Sequence, residues 1–268
     1  MSRVSILSLL LLLMVSCGLD IEKLAAERLE IAKEAFRTEK YSEAKRLIDS
    51  VKILYPKAFE TRRAAISLMK DVEVAEQRRN IIYLDSVLNV QVKKIEEIKK
   101  ELIFEKDERY QDIGLYFAPG QSMDENLERT FLRAQVDEKG SFTIVSIFCG
   151  KHFIHHRSVK VRVGDNFAQT PISDDCYEYT DLDIRYEKCN FIAGNDGGIS
   201  AFIALNRNNN VQVTLHGEKT INYAMTSVDK ESVALLFSFS QLLSDIENNR
   251  EQIVEAERKI NFLLRERE

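Results

Sequence analysis

Tryptophan is absent from this 268-residue chain, and proline occurs three times, at Pro56, Pro119 and Pro171. The missing indole removes a common stacking platform for sugars and leaves nine tyrosines to supply one. Glycine is scarce and unevenly placed. There is none from Asp20 to Asp112, all but Gly18 lie between Gly114 and Gly217, and Asp229 to Glu268 holds neither glycine nor proline. That distribution predicts a helical block, a β block and a second helical block. No strongly basic stretch is present and the net charge is −5, which argues against nucleic acid as a partner. Also missing are G-x-S-x-G, H-E-x-x-H and a phosphate-cradling glycine loop. The 43 acidic residues are spread too evenly to single out a catalytic carboxylate pair. The expectation is a non-catalytic protein without metal or cofactor.

What the chain does have begins at its first residues. Met1-Ser2-Arg3 precedes an apolar run from Val4 to Val15, interrupted only by Ser5 and Ser8, that ends in Met14-Val15-Ser16-Cys17. A positive residue, a short apolar segment and small residues at a cut site read as a secretory signal. Twelve residues reach about 18 Å as a helix, short of a hydrocarbon core of ~30 Å. The segment resembles a bacterial lipobox, with Met14 where leucine is more frequent. That resemblance implies cleavage after residue 16, acylation of Cys17 and a lipid-anchored envelope protein. Several acyl chains would hold it stably at the membrane. Gly18 stands where an aspartate would retain such a protein in the inner membrane of enteric bacteria, so the outer membrane is implied. Asp20 and Glu22 resemble a Bacteroidetes-type export signal. Losing Arg3 with the signal makes the balance −6.

Three cysteines remain, Cys149, Cys176 and Cys189, in a compartment that permits disulfides. Cys176 and Cys189 bracket a polar, tyrosine-bearing stretch and form the candidate bridge, with Cys149 left over; three reduced thiols are the alternative.

In the first helical block, Ala32, Ala35, Tyr41, Ala44 and Pro56 resemble the small, aromatic, small and proline positions of a tetratricopeptide repeat. Arg28 replaces the usual tryptophan and Glu39 the usual glycine. Only residues 25–58 are covered, and one repeat cannot bury its own face, since solenoids take about three. The resemblance therefore implies one lipid-proximal helical hairpin over 17–58, capped by the helix after Pro56.

From residue 59 to 112 nothing breaks a helix. Val74, Ile81, Leu88, Ile95 and Leu102 recur every seven residues, with Gln91 among their companions. Over 229–268 the same spacing links Phe239, Ile246, Ile253 and Ile260, with Asn249 as a companion. Two seams of similar length flanking a β segment predict an antiparallel coiled-coil hairpin, in which Gln91 and Asn249 face each other. Pairing of each seam in a homo-oligomer is the rival, so the oligomeric state stays open.

Residues 113–228 read as antiparallel β, six to eight short strands forming a sandwich. Phe153–Val163 and Ile199–Leu205 are expected strands, and Val211–Leu215 turns at Gly217 into Ile221–Met225. Cys149, His152, His155 and His156 invite a zinc or nucleophile reading. On a strand, however, His152 and His156 lie about 13 Å apart and His155 faces away. Asp181, Asp183 and the Asn195-Asp196-Gly197-Gly198 turn offer oxygens without the fixed offsets of a calcium loop.

The sequence thus predicts an α+β fold: an N-terminal helical hairpin, then a long antiparallel coiled-coil hairpin with an inserted antiparallel β-sandwich. The function it favours is a non-catalytic envelope lipoprotein that acts as an interaction or scaffold protein toward another envelope protein, through its helices and β domain. The alternative is a ligand-binding module for glycans or peptides using Tyr177, Tyr179 and Tyr186. Clustering of those rings would favour the module; a flat apolar patch would favour the scaffold.

Overall fold

The computed structural model describes residues 21–109, 111–122 and 128–265. The expected signal segment and the expected acylation site, Cys17, lie outside them. Within them the fold is α+β, with five helices and two antiparallel sheets of six and four strands. The chain divides into two compact units, residues 1–87 with 249–268, and residues 88–248.

The first unit is helical. Helix α1 covers 21–37, α2 covers Tyr41–Leu54, and α3 (Phe59–Glu101) and α5 (Ser227–Arg265) contribute 59–87 and 249–265. Small residues let the helices close on one another: Ala25, Ala32 and Ala44 are fully buried, alongside Leu29, Leu47, Val51 and Val72. Ala58, Ala65 and Leu68 bring the start of α3 into that core. Helix α1 ends at Glu39, whose φ of 56° is left-handed, and Lys40 N–H closes the turn on the Ala35 carbonyl at 2.9 Å. The Arg79 guanidinium lies 4.4 Å from the Tyr41 ring centroid and donates to the Glu39 carbonyl. Glu22 accepts from the Thr61 N–H at 2.6 Å and the Thr61 hydroxyl at 2.7 Å. A carboxylate at the first turn of α3 satisfies donors that the helix cannot pair itself. Farther along, Val74 and Ile81 of α3 cluster with Ile260 and Leu263 of α5, and Glu73 pairs with Lys259 at 3.4 Å.

The second unit holds both sheets. The six-stranded sheet runs β1-β2-β3-β4-β8-β7, from β1 (Ile103–Glu105), β2 (Leu115–Phe117), β3 (Phe131–Asp137), β4 (Phe142–Gly150), β7 (Cys176–Asp181) and β8 (Ile184–Ile192). The four-stranded sheet runs β10-β9-β5-β6, from β5 (Ser158–Val163), β6 (Asn166–Gln169), β9 (Gln212–His216) and β10 (Ile221–Ala224). Period two divides each strand. Leu132, Ala134, Ile144 and Phe191 from the large sheet join Val159, Val161, Val213 and Leu215 from the small one in a single core. Ile95 of α3, Ile199 and Ile203 of α4 (Ile199–Leu205), and Val233, Leu236, Phe239 and Ile246 of α5 complete it, with Leu88, Ile98 and Leu102 packed alongside. Gln91 and Asn249 are both half-buried, Gln91 in this unit and Asn249 in the first; Ile253, in the first unit, is half-buried too.

Several expected boundaries move. Helix α3 stops at Glu101 rather than 112, because Ile103–Glu105 pairs with Leu115–Phe117 and starts the sheet ten residues early. Ile199–Leu205 is a helix, not a strand: Asp196 accepts from the Gly198 and Ser200 N–H groups at 3.0 and 2.9 Å and caps it. The strand expected from Phe153 begins at Ser158, since a carboxylate holds residues 154–156 as described below. Helix α5 starts at Ser227, where Thr226 and Asp229 form a reciprocal cap: the Thr226 hydroxyl donates to Asp229 at 2.7 Å and accepts its N–H at 3.1 Å.

Candidate functional site

The side of the six-stranded sheet opposite the core is set by register. Arg133 stands opposite Val145, Val145 opposite Asn190, Ile147 opposite Lys188, Cys149 opposite Tyr186, and Tyr186 opposite Tyr179. Period two adds Phe131 and Tyr177. Phe131, Val145 and Ile147 form a small cluster of their own, at most 5% exposed. Around it lie tyrosines and cations.

The tyrosines pile on one another. Ring centroids are 5.6 Å apart for Tyr177 and Tyr179, and 4.8 Å for Tyr179 and Tyr186, with interplanar angles of 28° and 9°. The first pair is two residues apart on one strand and so shares a face, and the second is directly cross-strand. A pile of this kind covers the inner ring faces, so what it offers outward is phenol edges and one open face at Tyr177, which is 65% exposed. Lys188 sits over the same pile, its ammonium 5.2 Å from the Tyr179 centroid.

Arg133 is the most costly group on this face. It is 7% exposed, and burial lowers its pKa, with Glu105 acting against that. Its Nη2 donates to Gln135 at 3.3 Å and its guanidinium lies 5.4 Å from the Phe117 centroid, while among the described residues Nε has no hydrogen-bond partner. Lys188 is also held below the ordinary lysine range, by burial first and by the Arg133 charge second. Two cations therefore share a partly desolvated site, and Lys188 forms no ion pair among the described residues. A site so provided with donors is complementary to an anion or to a hydroxyl-rich ligand.

Cys149 borders the pile and is the free cysteine of the described residues. Burial raises its thiol pKa and a hydrogen bond with Tyr186 opposes the shift. A thiol raised in this way is a poor nucleophile. Cys176 and Cys189 stand opposite each other on β7 and β8 and are joined as a disulfide, with Cα atoms 4.1 Å apart. The bridge fastens the strand that carries Tyr177 and Tyr179.

A second constellation lies on the core side. The Ser146 hydroxyl is 2.9 Å from His156 Nε2, and His156 Nδ1 is 2.6 Å from Glu187. The order serine, imidazole, carboxylate is that of a nucleophile, base and orienting acid. Its surroundings exclude that use, because the three residues are 0%, 1% and 1% exposed and no substrate carbonyl can approach Ser146. Glu187 also accepts the N–H groups of Ile154, His155 and His156 at 2.5, 2.8 and 2.8 Å. Burial pushes the carboxyl up, but the imidazole and the three N–H groups outweigh it and hold it down to about 2. The network is a clamp. It fixes His155 at a φ of 52°, a left-handed conformation that a non-glycine residue keeps only when its surroundings impose it.

The histidines are accordingly scattered. His155 points to Glu178 at 2.9 Å on the surface, His156 is in the clamp, and His152 is exposed. Among the described residues no three His, Cys, Asp or Glu side chains converge as a metal set. Asp196 is engaged in capping α4, and Asp181 and Asp183 flank the exposed Leu182 turn. Of the residues singled out in the sequence, Tyr177, Tyr179 and Tyr186 are brought together. Arg133 and Lys188 were not singled out in the sequence; the period two of their strands is the signal that could have placed them on this face. The Ser146–His156–Glu187 set was not, since it gathers from three separate segments. No protein-family model matches the chain, and no curated protein or solved structure does either.

Proposed function

We propose that this protein is a lipid-anchored, non-catalytic binding protein of the cell envelope, held by Cys17 in the outer membrane, and that its ligand face is the tyrosine side of the six-stranded sheet. The observation that carries the reading is the pile of Tyr177, Tyr179 and Tyr186 beside Lys188 and the nearly buried Arg133. The Arg133 Nε without a hydrogen-bond partner among the described residues and the Lys188 ammonium fit an anion-bearing glycan: its acidic groups meet Lys188 and Arg133, its hydroxyls meet the phenol edges, and one ring stacks on Tyr177. The finer architecture belongs to the same reading, with the two sheets as layers of a sandwich and the heptad seams of α3 and α5 as coiled-coil arms.

The test is an array of acidic glycans, neutral glycans and acidic peptides, probed with the wild-type chain and with Tyr177→Ser/Lys188→Gln. Binding of acidic glycans that the double variant loses supports the proposal. Equal binding by both proteins, or a preference for peptides, overturns it. A scaffold role toward another envelope protein is the second reading, favoured by Ile82 and Tyr83 of α3, which are 67% and 64% exposed. Cross-linking from those two positions to a single envelope protein would establish it.

A further inference from the structure

The end of the first unit where α2 passes into α3 is apolar and exposed. Ile53 is 74% exposed, Leu54 58% and Phe59 70%, three large apolar side chains within seven residues around the Tyr55–Ala58 turn. Ile66, 62% exposed, continues them along a groove of about 420 Å³ between α2 and α3 that Lys52 and Arg62 also line. Water-facing apolar groups concentrated like this mark a contact surface. Around them stand Lys52, Lys57, Arg62 and Arg63, against Asp49 and Glu60. Glu60 is matched to Arg63 at 3.7 Å, whereas Lys52 and Lys57 form no ion pair among the described residues. The tip is thus locally basic in an acidic chain.

The start of α1 lies at this same end, because Glu22 is bonded to Thr61 in the first turn of α3. Cys17 is four residues before Ile21, and four residues span at most about 14 Å. Whatever Cys17 is attached to lies within that reach of the start of α1.

We propose that the α2–α3 tip is a membrane-seating surface: Ile53, Leu54 and Phe59 enter the headgroup boundary of the bilayer that carries the Cys17 lipid, and Lys52 and Lys57 meet its anionic headgroups. The inference rests on the lipid-anchored reading. It goes beyond it, since an anchor alone leaves the protein free to tumble on its tether, whereas a seated tip fixes which end faces the lipid. Apolar insertion beside basic side chains is the combination that holds interfacial segments at anionic surfaces.

The chain has no tryptophan, so Phe59→Trp is a single-fluorophore reporter. The lipidated mature protein carrying it is reconstituted into vesicles of phosphatidylethanolamine and phosphatidylglycerol, with and without brominated acyl chains. Indole emission that shifts to the blue and is quenched by bromine supports the proposal. Unlipidated Cys17→Ser/Phe59→Trp protein, expressed without the signal segment, is expected to bind the same vesicles weakly, and Ile53→Asp/Leu54→Asp to lower that partitioning by at least about tenfold. An indole that keeps a water-exposed, unquenched spectrum in the lipidated protein overturns the seating. So does a blue shift on self-association without lipid, which would make the tip an interface between copies. Should the aspartate variant not fold, the indole spectrum of the Phe59→Trp protein decides alone. Absence of palmitate label on Cys17 overturns the anchored reading separately.

Discussion

Gly217 meets the carbonyl of Ile154 so closely that a Cβ on the glycine would lie 2.1 Å from that oxygen and 2.8 Å from the His156 nitrogen. The next residue, Glu218, donates its N–H to the same Ile154 carbonyl at 2.7 Å. Both contacts are with backbone, which cannot rotate away. Gly217→Ala is therefore expected to destabilise the second unit by about 3 kcal/mol, the upper range for forced overpacking. Urea unfolding followed by circular dichroism measures it; a loss below about 1 kcal/mol would show that the 154–156 segment yields.

The Glu187 clamp makes stability depend on acid pH. Its carboxyl titrates at about 2 in the fold and at about 4.3 in an unfolded chain. The ionised form is favoured by folding, so its contribution is complete above pH ~5 and is lost as pH falls toward 2. The difference corresponds to roughly 3 kcal/mol. Unfolding free energies measured from about pH 7 to pH 2 should fall steeply in that window. In Glu187→Gln the fall should be shallower and stability at neutral pH lower.

Asp229 is 3% exposed on its side chain and receives Arg129 at 2.6 Å, Gln121 at 3.0 Å and the Thr226 hydroxyl at 2.7 Å. Replacing it with alanine leaves three donors without their acceptor and opens the α5 cap. Loss of about 3 kcal/mol is expected, the lower bound for breaking a buried ion pair, because Arg129 is partly exposed and regains water. Thermal unfolding of Asp229→Ala checks this, and Asp229→Asn, which keeps the cap, should lose less.

Glu39 occupies the left-handed position that ends α1, where the repeat it resembles has glycine. Glu39→Gly removes the Cβ strain of that conformation and adds freedom to the unfolded chain, a smaller opposing effect. A net gain of about 0.5–1 kcal/mol is expected, read as a higher melting temperature.

How far the sequence reached is clearest at particular elements. The two helical blocks were legible because glycine is missing from both and Pro56 is their one proline, and the Val211–Tyr223 hairpin because apolar and polar residues alternate on both sides of Gly217. The end of α3 was not, since Glu101 to Glu105 contains no breaker; Ile103 and Phe104 leave the helix to pair with Leu115–Phe117, a partner beyond the next turn of chain. Helix α4 was misread as a strand because a short apolar run suits either state, and the deciding contact is the Asp196 cap. On the candidate face the tyrosines were visible as residue types near one another in sequence. The stacking of Tyr179 on Tyr186 was not, because it depends on the β7–β8 register that sets those two residues opposite each other.

Cys149 gives the tyrosine face its own reporter. With Cys176 and Cys189 joined, Cys149 is the one thiol that a maleimide would find among the described residues, at the border of the Tyr186 ring. Burial keeps that thiol protonated at neutral pH, so labelling is slow and its rate follows how open the surroundings are. A bound ligand would register as protection, with neither a prosthetic dye nor a catalytic assay required.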